Sequence, residues 1–351
     1  MKRILIAGAA GPAGVNFIRS LRSAPEKYFL IGTDSNPYHL AWIRDDAHPE
    51  DRVDSAYTVP RCNDPTYLQC LNDIVKREKI DLIYPQTDAE VCFHSEHRNE
   101  LEAPVCLPAE KTIAICQDKH LSAEAWKAAG IPIQETLRIS SDTQALLSAE
   151  EKFNYPYWVR ASQGASGKGS CLVENRETAE FWLRYWEAKR VGWQFIAQQF
   201  LPGSIVAFQS VWKNGVIVCS QARERVEYIY PYLSPSGITG TPVIARTVHR
   251  DDVNEMATRA VRAIDPQATG VFCVDLRDNA QGTPIPTEIN AGRFFTTSYF
   301  FTAAGINMPY AYIKVAFNEE TPPYPQYNPI PPDWYWCRHI DCPGILVKEW
   351  Q

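Results

Sequence analysis

Short apolar runs alternate with stretches carrying an apolar residue every third or fourth position through the first 110 residues. The runs RILIAG, YFLIGTD, DLIYP and APVCLP read as strands, and the segments 15–21, 67–80 and 89–101 between them read as helices. Such alternation predicts a parallel sheet covered by helices, and the first lobe is drawn as residues 1–110. Residues 111–137 carry a helical period, interrupted where Gly130 and Pro132 end the second helix. From Phe153 the period shortens: YPYWVRA, CLVE and WQFIAQQFL are strand-like, with a helix over 176–187. Residues 111–198 are therefore read as linker helices and a small lobe. The remaining lobe, 199–351, opens with the strands IVAFQSVW and VIVCSQARERV, joined at an Asn-Gly turn. A helix over Asp251–Ile264, the hairpin GVFCVDLR…TPIPTEIN and a Pro-rich tail follow.

Composition narrows the classes. A chain of 351 residues suits two or three lobes around a site better than one ordinary domain. With 45% hydrophobic and 22% charged residues it is globular rather than disordered. A net charge of -6 without a basic stripe excludes a nucleic-acid surface, which needs clustered Lys and Arg. No apolar run approaches the roughly 20 residues that cross a bilayer. The opening MKRILIAGAAG is broken at Gly8, Gly11 and Pro12, unlike a signal peptide. A cytoplasmic chain with its ten cysteines reduced is expected. None form Cys-x-x-Cys, and Cys337, His339 and Cys342 read as part of an ordinary strand rather than a zinc site.

Three segments carry chemistry. Gly8, Gly11 and Gly14 lie between a strand and a helix, with Asp34 at the end of the second strand. That pattern fits dinucleotide binding, and equally fits small residues that let the first helix pack close. The turn SQGASGKGS, flanked by Arg160 and containing Lys168, offers backbone N–H groups and cations to a polyphosphate, or is an exposed hairpin. The hairpin near the end is the most informative. Pairing symmetrically about residues 281 and 282 sets Asp275 opposite Glu288, with Asn290 on the same face. Two facing acids repel, and a bound Mg²⁺ removes the conflict. Arg293, just beyond, can hold a phosphate or carboxylate bidentately, or serve as a surface ion pair.

Taken in order, AGAAGPAGVNFIRSL, GTDSNP, CQDKH, GIPIQET, YPYWVRASQGASGKGS, QQFLPG and TGVFCVDLR…PTEINAGRF resemble the ATP-grasp superfamily, nearest to its carbamoyl-phosphate-synthase-like carboxylate-amine ligases. The likeness runs over roughly residues 1–318. It implies an α/β and α+β chain, in which a Rossmann-like pre-ATP-grasp domain precedes a two-lobed ATP-grasp domain. It also implies ATP and Mg²⁺ as cofactors and a small-molecule carboxylate and an amine as substrates, and it allows a homodimer. Lys119 and Arg160 would contact phosphates, Gly167 and Lys168 would belong to a lid, and Gln199, Phe200 and Leu201 would hold adenine. Asp275, Glu288 and Asn290 would hold the metal, Arg293 and Arg160 would act in catalysis, and Thr239 and Gly240 would line the acyl end. An NAD(P)-dependent oxidoreductase and a non-catalytic ATP sensor are the alternatives.

Overall fold

The structure is a computed structural model describing residues 1–45, 47–163, 169–234, 237, 240–339 and 342–348. Its first layer is a parallel sheet of β1 (Arg3–Ala7), β2 (Phe29–Asp34), β3 (Ser55–Thr58) and β4 (Leu82–Pro85), in the order β3-β2-β1-β4. Helices α1 (Pro12–Arg22), α2 (Tyr67–Glu78) and α3 (Asp88–Glu96) connect and cover it. β1 and β4 are buried along nearly their whole length, as expected of parallel strands with both faces covered. APVCLP makes only an isolated bridge, Val105 to Ile83, rather than a full strand.

Helices α4 (Glu110–Gln117) and α5 (Lys119–Ala128) lead into the small lobe. That lobe is an antiparallel sheet of β5 (Thr136–Ile139), β6 (Tyr157–Ala161), β7 (Cys171–Val173) and β8 (Phe195–Gln199), in the order β5-β8-β6-β7. Helices α6 (Thr143–Phe153) and α7 (Arg176–Ala188) back it. β5 begins where the helical period read from the sequence ends, at 137, and α6 lies in residues to which the sequence pattern gives no element. β5 is a short edge strand with little inward apolar content, so its pairing with β8 decides its state more than its own residues do.

The large lobe is a seven-stranded antiparallel sheet built from β9 (Ile205–Lys213), β10 (Val216–Tyr228), β11 (Pro242–Thr247), β12 (Gly270–Asp278), β13 (Pro284–Ala291), β14 (Tyr335–His339) and β15 (Cys342–Val347). The strand order is β13-β12-β9-β10-β11-β14-β15. One face packs on α8 (Asp251–Ile264) through Val206, Phe208, Val274 and Ile289. The opposite face, at the β12–β13 end, forms the cavity described below. Helices α9 (Tyr299–Ala303) and α10 (Met308–Ala316) lie between this sheet and the first lobe. The first and large lobes share one core, in which Phe17 stacks on Tyr84 at 3.8 Å and meets Phe294 and Tyr312. Among the described residues no helix is long and apolar enough to cross a membrane.

Candidate active site

A cavity of about 340 Å³ opens where the three sheets meet, lined from the first lobe by Gly11 and Asp88, from the small lobe by Arg160, and from the large lobe by Asp275, Glu288 and Asn290. The hairpin of β12 and β13 supplies the acids. Asp275 pairs with Glu288 and Cys273 with Asn290, so both acids and the amide share one face; the pair is the expected one, although the strands nearest the turn pair about residue 281. Between Asp275 and Leu276 the register slips, because Thr287 is an extra residue on β13. Its hydroxyl donates to the Asp275 carbonyl at 3.1 Å. Such a bulge re-aims side chains beside a site.

Each acid already faces cations. Lys119 Nζ lies 3.2 Å and Arg160 Nη2 3.5 Å from Glu288 Oε2, and Arg225 pairs with Asp275. Asp118 positions Lys119 by capping α5: its carboxylate accepts the His120 and Leu121 N–H groups, which makes Lys119 the first helical residue. The Lys119 N–H in turn donates to the Ser162 carbonyl at 3.1 Å, tying the helix to the end of β6. Arg160 and Trp158 share one side of β6, and both face the cavity.

Burial pushes the Asp275 carboxyl up to about 6; Arg225 opposes that rise and the Glu288 charge adds to it. Burial would raise Glu288 too, but Lys119 and Arg160 outweigh it and hold that carboxyl well below the usual range. Among the described residues no three His, Cys, Asp or Glu side chains gather as a metal cage. That is no obstacle for Mg²⁺, which takes one or two carboxylates and completes its shell with phosphates and water. Two acids and the Asn290 oxygen on one face, the acids in mutual conflict, fit that ion.

Arg293, expected to hold a phosphate or carboxylate or else to serve as a surface ion pair, is in an ion pair that is largely buried. Asp88 of α3 holds it through Nε and, at 2.9 Å, through Nη2, which also donates to Asn290 Oδ1 at 2.6 Å. It thus fixes Asn290 from the first lobe. Gln199, Phe200 and Leu201 line a separate cavity, and the Gln199 carbonyl accepts from Gln134 Nε2 at 2.7 Å. Gln134 itself lines the main cavity, so the backbone of Gln199 stands one side chain behind it. Gly240 lines the main cavity, while Thr239, Gly167 and Lys168 lie outside the described residues.

Sequence reasoning passed over Arg223, Arg225 and Asp88, all of which line the cavity. The period-two arginines of QARERV were the available signal. The glycines of the first turn take packing roles. A Cβ on Gly14 would come 2.3 Å from the Ala9 carbonyl oxygen, and one on Gly8, at φ +67, would come 2.6 Å from Glu90 Oε2.

Residues 28–107 match the family model described as PylC-like, N-terminal domain. Residues 118–190 match that of the carbamoyl-phosphate synthase L chain, ATP binding domain. The chain has a two-lobed ATP-grasp fold. It is 22% identical to the mitochondrial arginine-specific carbamoyl phosphate synthase large chain of Schizosaccharomyces pombe, over 93% of its own length and 28% of that protein's. It is 25% identical to a D-alanine–D-alanine ligase of Bifidobacterium adolescentis, over 54% of its length and 58% of the ligase. It therefore spans less than two thirds of both curated relatives. Its fold matches the biotin carboxylase domain dimer of Hydrogenobacter thermophilus 2-oxoglutarate carboxylase, solved with MgADP and bicarbonate. The TM-score is 0.71 at 17% identity, covering 96% of this chain and 74% of that one.

Proposed function

We propose that this chain is an Mg²⁺- and ATP-dependent ligase that phosphorylates a small-molecule carboxylate and joins the acyl group to an amine. The observation that carries the reading is the facing pair Asp275 and Glu288, with Asn290 beside them, in one cavity with Lys119 and Arg160. Further support comes from the D-alanine–D-alanine ligase and carbamoyl phosphate synthase relatives and from the MgADP in the biotin carboxylase neighbour. Magnesium and ATP supply the divalent charge that resolves the conflict between the acids and the phosphoryl group that is transferred.

Asp275, Glu288 and Asn290 hold the metal in this reading. Lys119 and Arg160 neutralise phosphate charge as it shifts toward the leaving group. Trp158, Ile205 and Leu276 offer apolar walls to the base, and Gln134, held by the Gln199 carbonyl, stands at its edge in place of Gln199, Phe200 and Leu201 themselves, which line the separate cavity. Arg293 acts as a positioning residue for Asn290. Gly167 and Lys168 belong to the turn that covers the phosphates and excludes water from the activated acid. A cytoplasmic protein, active alone or as a homodimer, goes with this reading.

The test is Glu288→Gln with ADP release measured across amino acids and small carboxylic acids. A loss of ~100-fold or more is expected, at least what disturbing a metal's surroundings costs. A variant with wild-type turnover overturns the metal assignment.

A further inference from the structure

The acids lining the cavity are each taken by cations: Asp275 by Arg225, Glu288 by Lys119 and Arg160, and Asp88 by Arg293. Behind the first-lobe wall lies an acid of another kind. Glu90 is 8% exposed, and among the described residues no ion pair reaches it. A Cβ on Gly8, which lines the cavity, would come 2.6 Å from Glu90 Oε2, so that turn's backbone alone separates the carboxylate from the cavity there.

Thr87 bridges the remaining step. It caps α3, is exposed, and lines the cavity beside Asp88. Its Oγ1 accepts the Glu90 N–H at 3.2 Å and donates to Glu90 Oε2 at 2.9 Å, while Tyr67 donates to Oε1 at 3.4 Å. A hydroxyl has one proton and two lone pairs. The Thr87 proton is committed to Glu90 and one lone pair to the helix, which leaves one lone pair to accept from an N–H donor in the cavity. The reacting groups are near: Asp88, the next residue, holds Arg293, and Arg293 donates to Asn290 Oδ1 at 2.6 Å.

Among the described residues no cation faces Glu90 from the elements packed on it. Asp34 from β2 is an acid, and Tyr67 of α2 and Cys62 ahead of it are pushed up by burial and stay protonated. On its own helix, burial drives His94 down to about 3, so that ring is uncharged. Burial pushes Glu90 up to about 7, and the Asp34 charge adds to the rise. A carboxyl that titrates near neutrality is matched to accepting a proton there.

We propose that Thr87 and Glu90 take the proton that the amine substrate must lose before it attacks the activated acid. This rests on the ligase reading above. An ammonium ion has no lone pair to attack with. One of its protons passes to Thr87 Oγ1 as the Oγ1 proton passes to Glu90 Oε2. The nitrogen then bonds to the acyl carbon, the carbon–oxygen bond to phosphate breaks, and the second proton leaves on the phosphate. Thr87 touches the amine, and Glu90 acts through it.

The test compares wild type with E90Q, T87N and T87S across amino acids and small carboxylic acids, each with hydroxylamine or an L-amino acid as the nucleophile. Hydroxylamine is largely uncharged at neutral pH and attacks without a base. T87N keeps a good helix cap but has no hydroxyl. E90Q and T87N should each lower amide formation about 100-fold more than hydroxamate formation, the lower range of general-base catalysis. T87S should retain most of it. Wild-type amide formation should rise as pH passes through about 7, and E90Q should lack that rise. Equal losses of amide and hydroxamate, an unchanged pH profile in E90Q, or wild-type amide formation by T87N each overturn the relay while leaving the ligase reading in place. Should no acid release ADP, the ligase reading falls by itself, and binding decides the rest. A gain in melting temperature from an L-amino acid with Mg·ADP at pH 8, present in wild type and lost in E90Q, would still sustain Glu90 as the acid that receives the amine, and its absence would remove it.

Discussion

Single side chains at this site are held by partners far away in the chain, and that dependence can be measured. Arg293 and Asp88 are 205 positions apart and join the large lobe to the first. Arg293 is 12% exposed at its side chain, so the pair is substantially dry, and removing one member leaves a charge uncompensated. Asp88→Asn should therefore destabilise the protein by about 2–3 kcal/mol in urea denaturation. It should also weaken Mg²⁺ binding, because Asn290 loses its fixed neighbour. The double variant with Arg293→Met should recover part of the stability but not the metal affinity. If Asp88→Asn unfolds at the wild-type urea concentration, the pair contributes nothing to the fold. No local pattern announces this contact: Asp88 reads as an ordinary acid in the first turn of α3, where it also suits the helix dipole.

Elements differ in how much of their role a sequence displays. The β12–β13 hairpin was legible because Asn279 to Gly282 mark the turn, but the strands pair about residue 281, and it is the Thr287 bulge that brings Glu288 opposite Asp275. The Thr287 bulge was not legible, since one extra residue leaves the hydrophobic pattern on either side intact. Arg223 and Arg225 were visible as a period-two pair on β10, but only the register with β9 and β12 shows that they face the acids. β5 was missed because an edge strand of four residues has too little pattern to oppose its neighbours. Helix α3 gives a case in which an element's cap carries a pH signature. Thr87 caps it, accepting the Glu90 N–H at 3.2 Å and donating to Glu90 Oε2 at 2.9 Å. Burial pushes Glu90 up to about 7, from an ordinary 4.5. The folded state therefore holds this proton more tightly than the unfolded chain. Its contribution is full below about 4.5 and is lost as pH rises through about 7, by at most roughly 3 kcal/mol. Glu90→Gln keeps the cap and removes the titration. It should melt with wild type at pH 4 and several degrees above it at pH 8. A difference that does not change with pH would exclude a proton on Glu90 as the cause.

At the scale of the molecule, one core spans two of the three sheets and leaves the third out. The first and large lobes share Ile4, Phe17, Tyr84, Ala207, Phe294 and Tyr312 in one cluster. The small lobe has its own, from Leu137 to Ala197, with none of those residues in it. Near the cavity the small lobe is tied to the rest by polar contacts: Arg160 on Glu288, and Ser162, whose carbonyl accepts the Lys119 N–H and whose hydroxyl donates to Asp118. Apolar burial is the larger stabilising term, so a lobe with a separate core opens as a unit at lower free energy than the body. In ligand-free protein, amides of α6, α7, β6 and β8 should exchange with deuterium faster than those of β1, β9 and β12. Nucleotide bridging Arg160 and the metal acids must be lost whenever that lobe opens. Mg·ATP at about 100 times its dissociation constant then slows exchange through this opening by about 100-fold, equivalent to ~2.7 kcal/mol. Amides at the end of α2, which exchange by local fraying away from the cavity, should not respond. Small-lobe amides indifferent to Mg·ATP would place the nucleotide elsewhere, and equal slowing at α2 would mean that the lobes do not open separately.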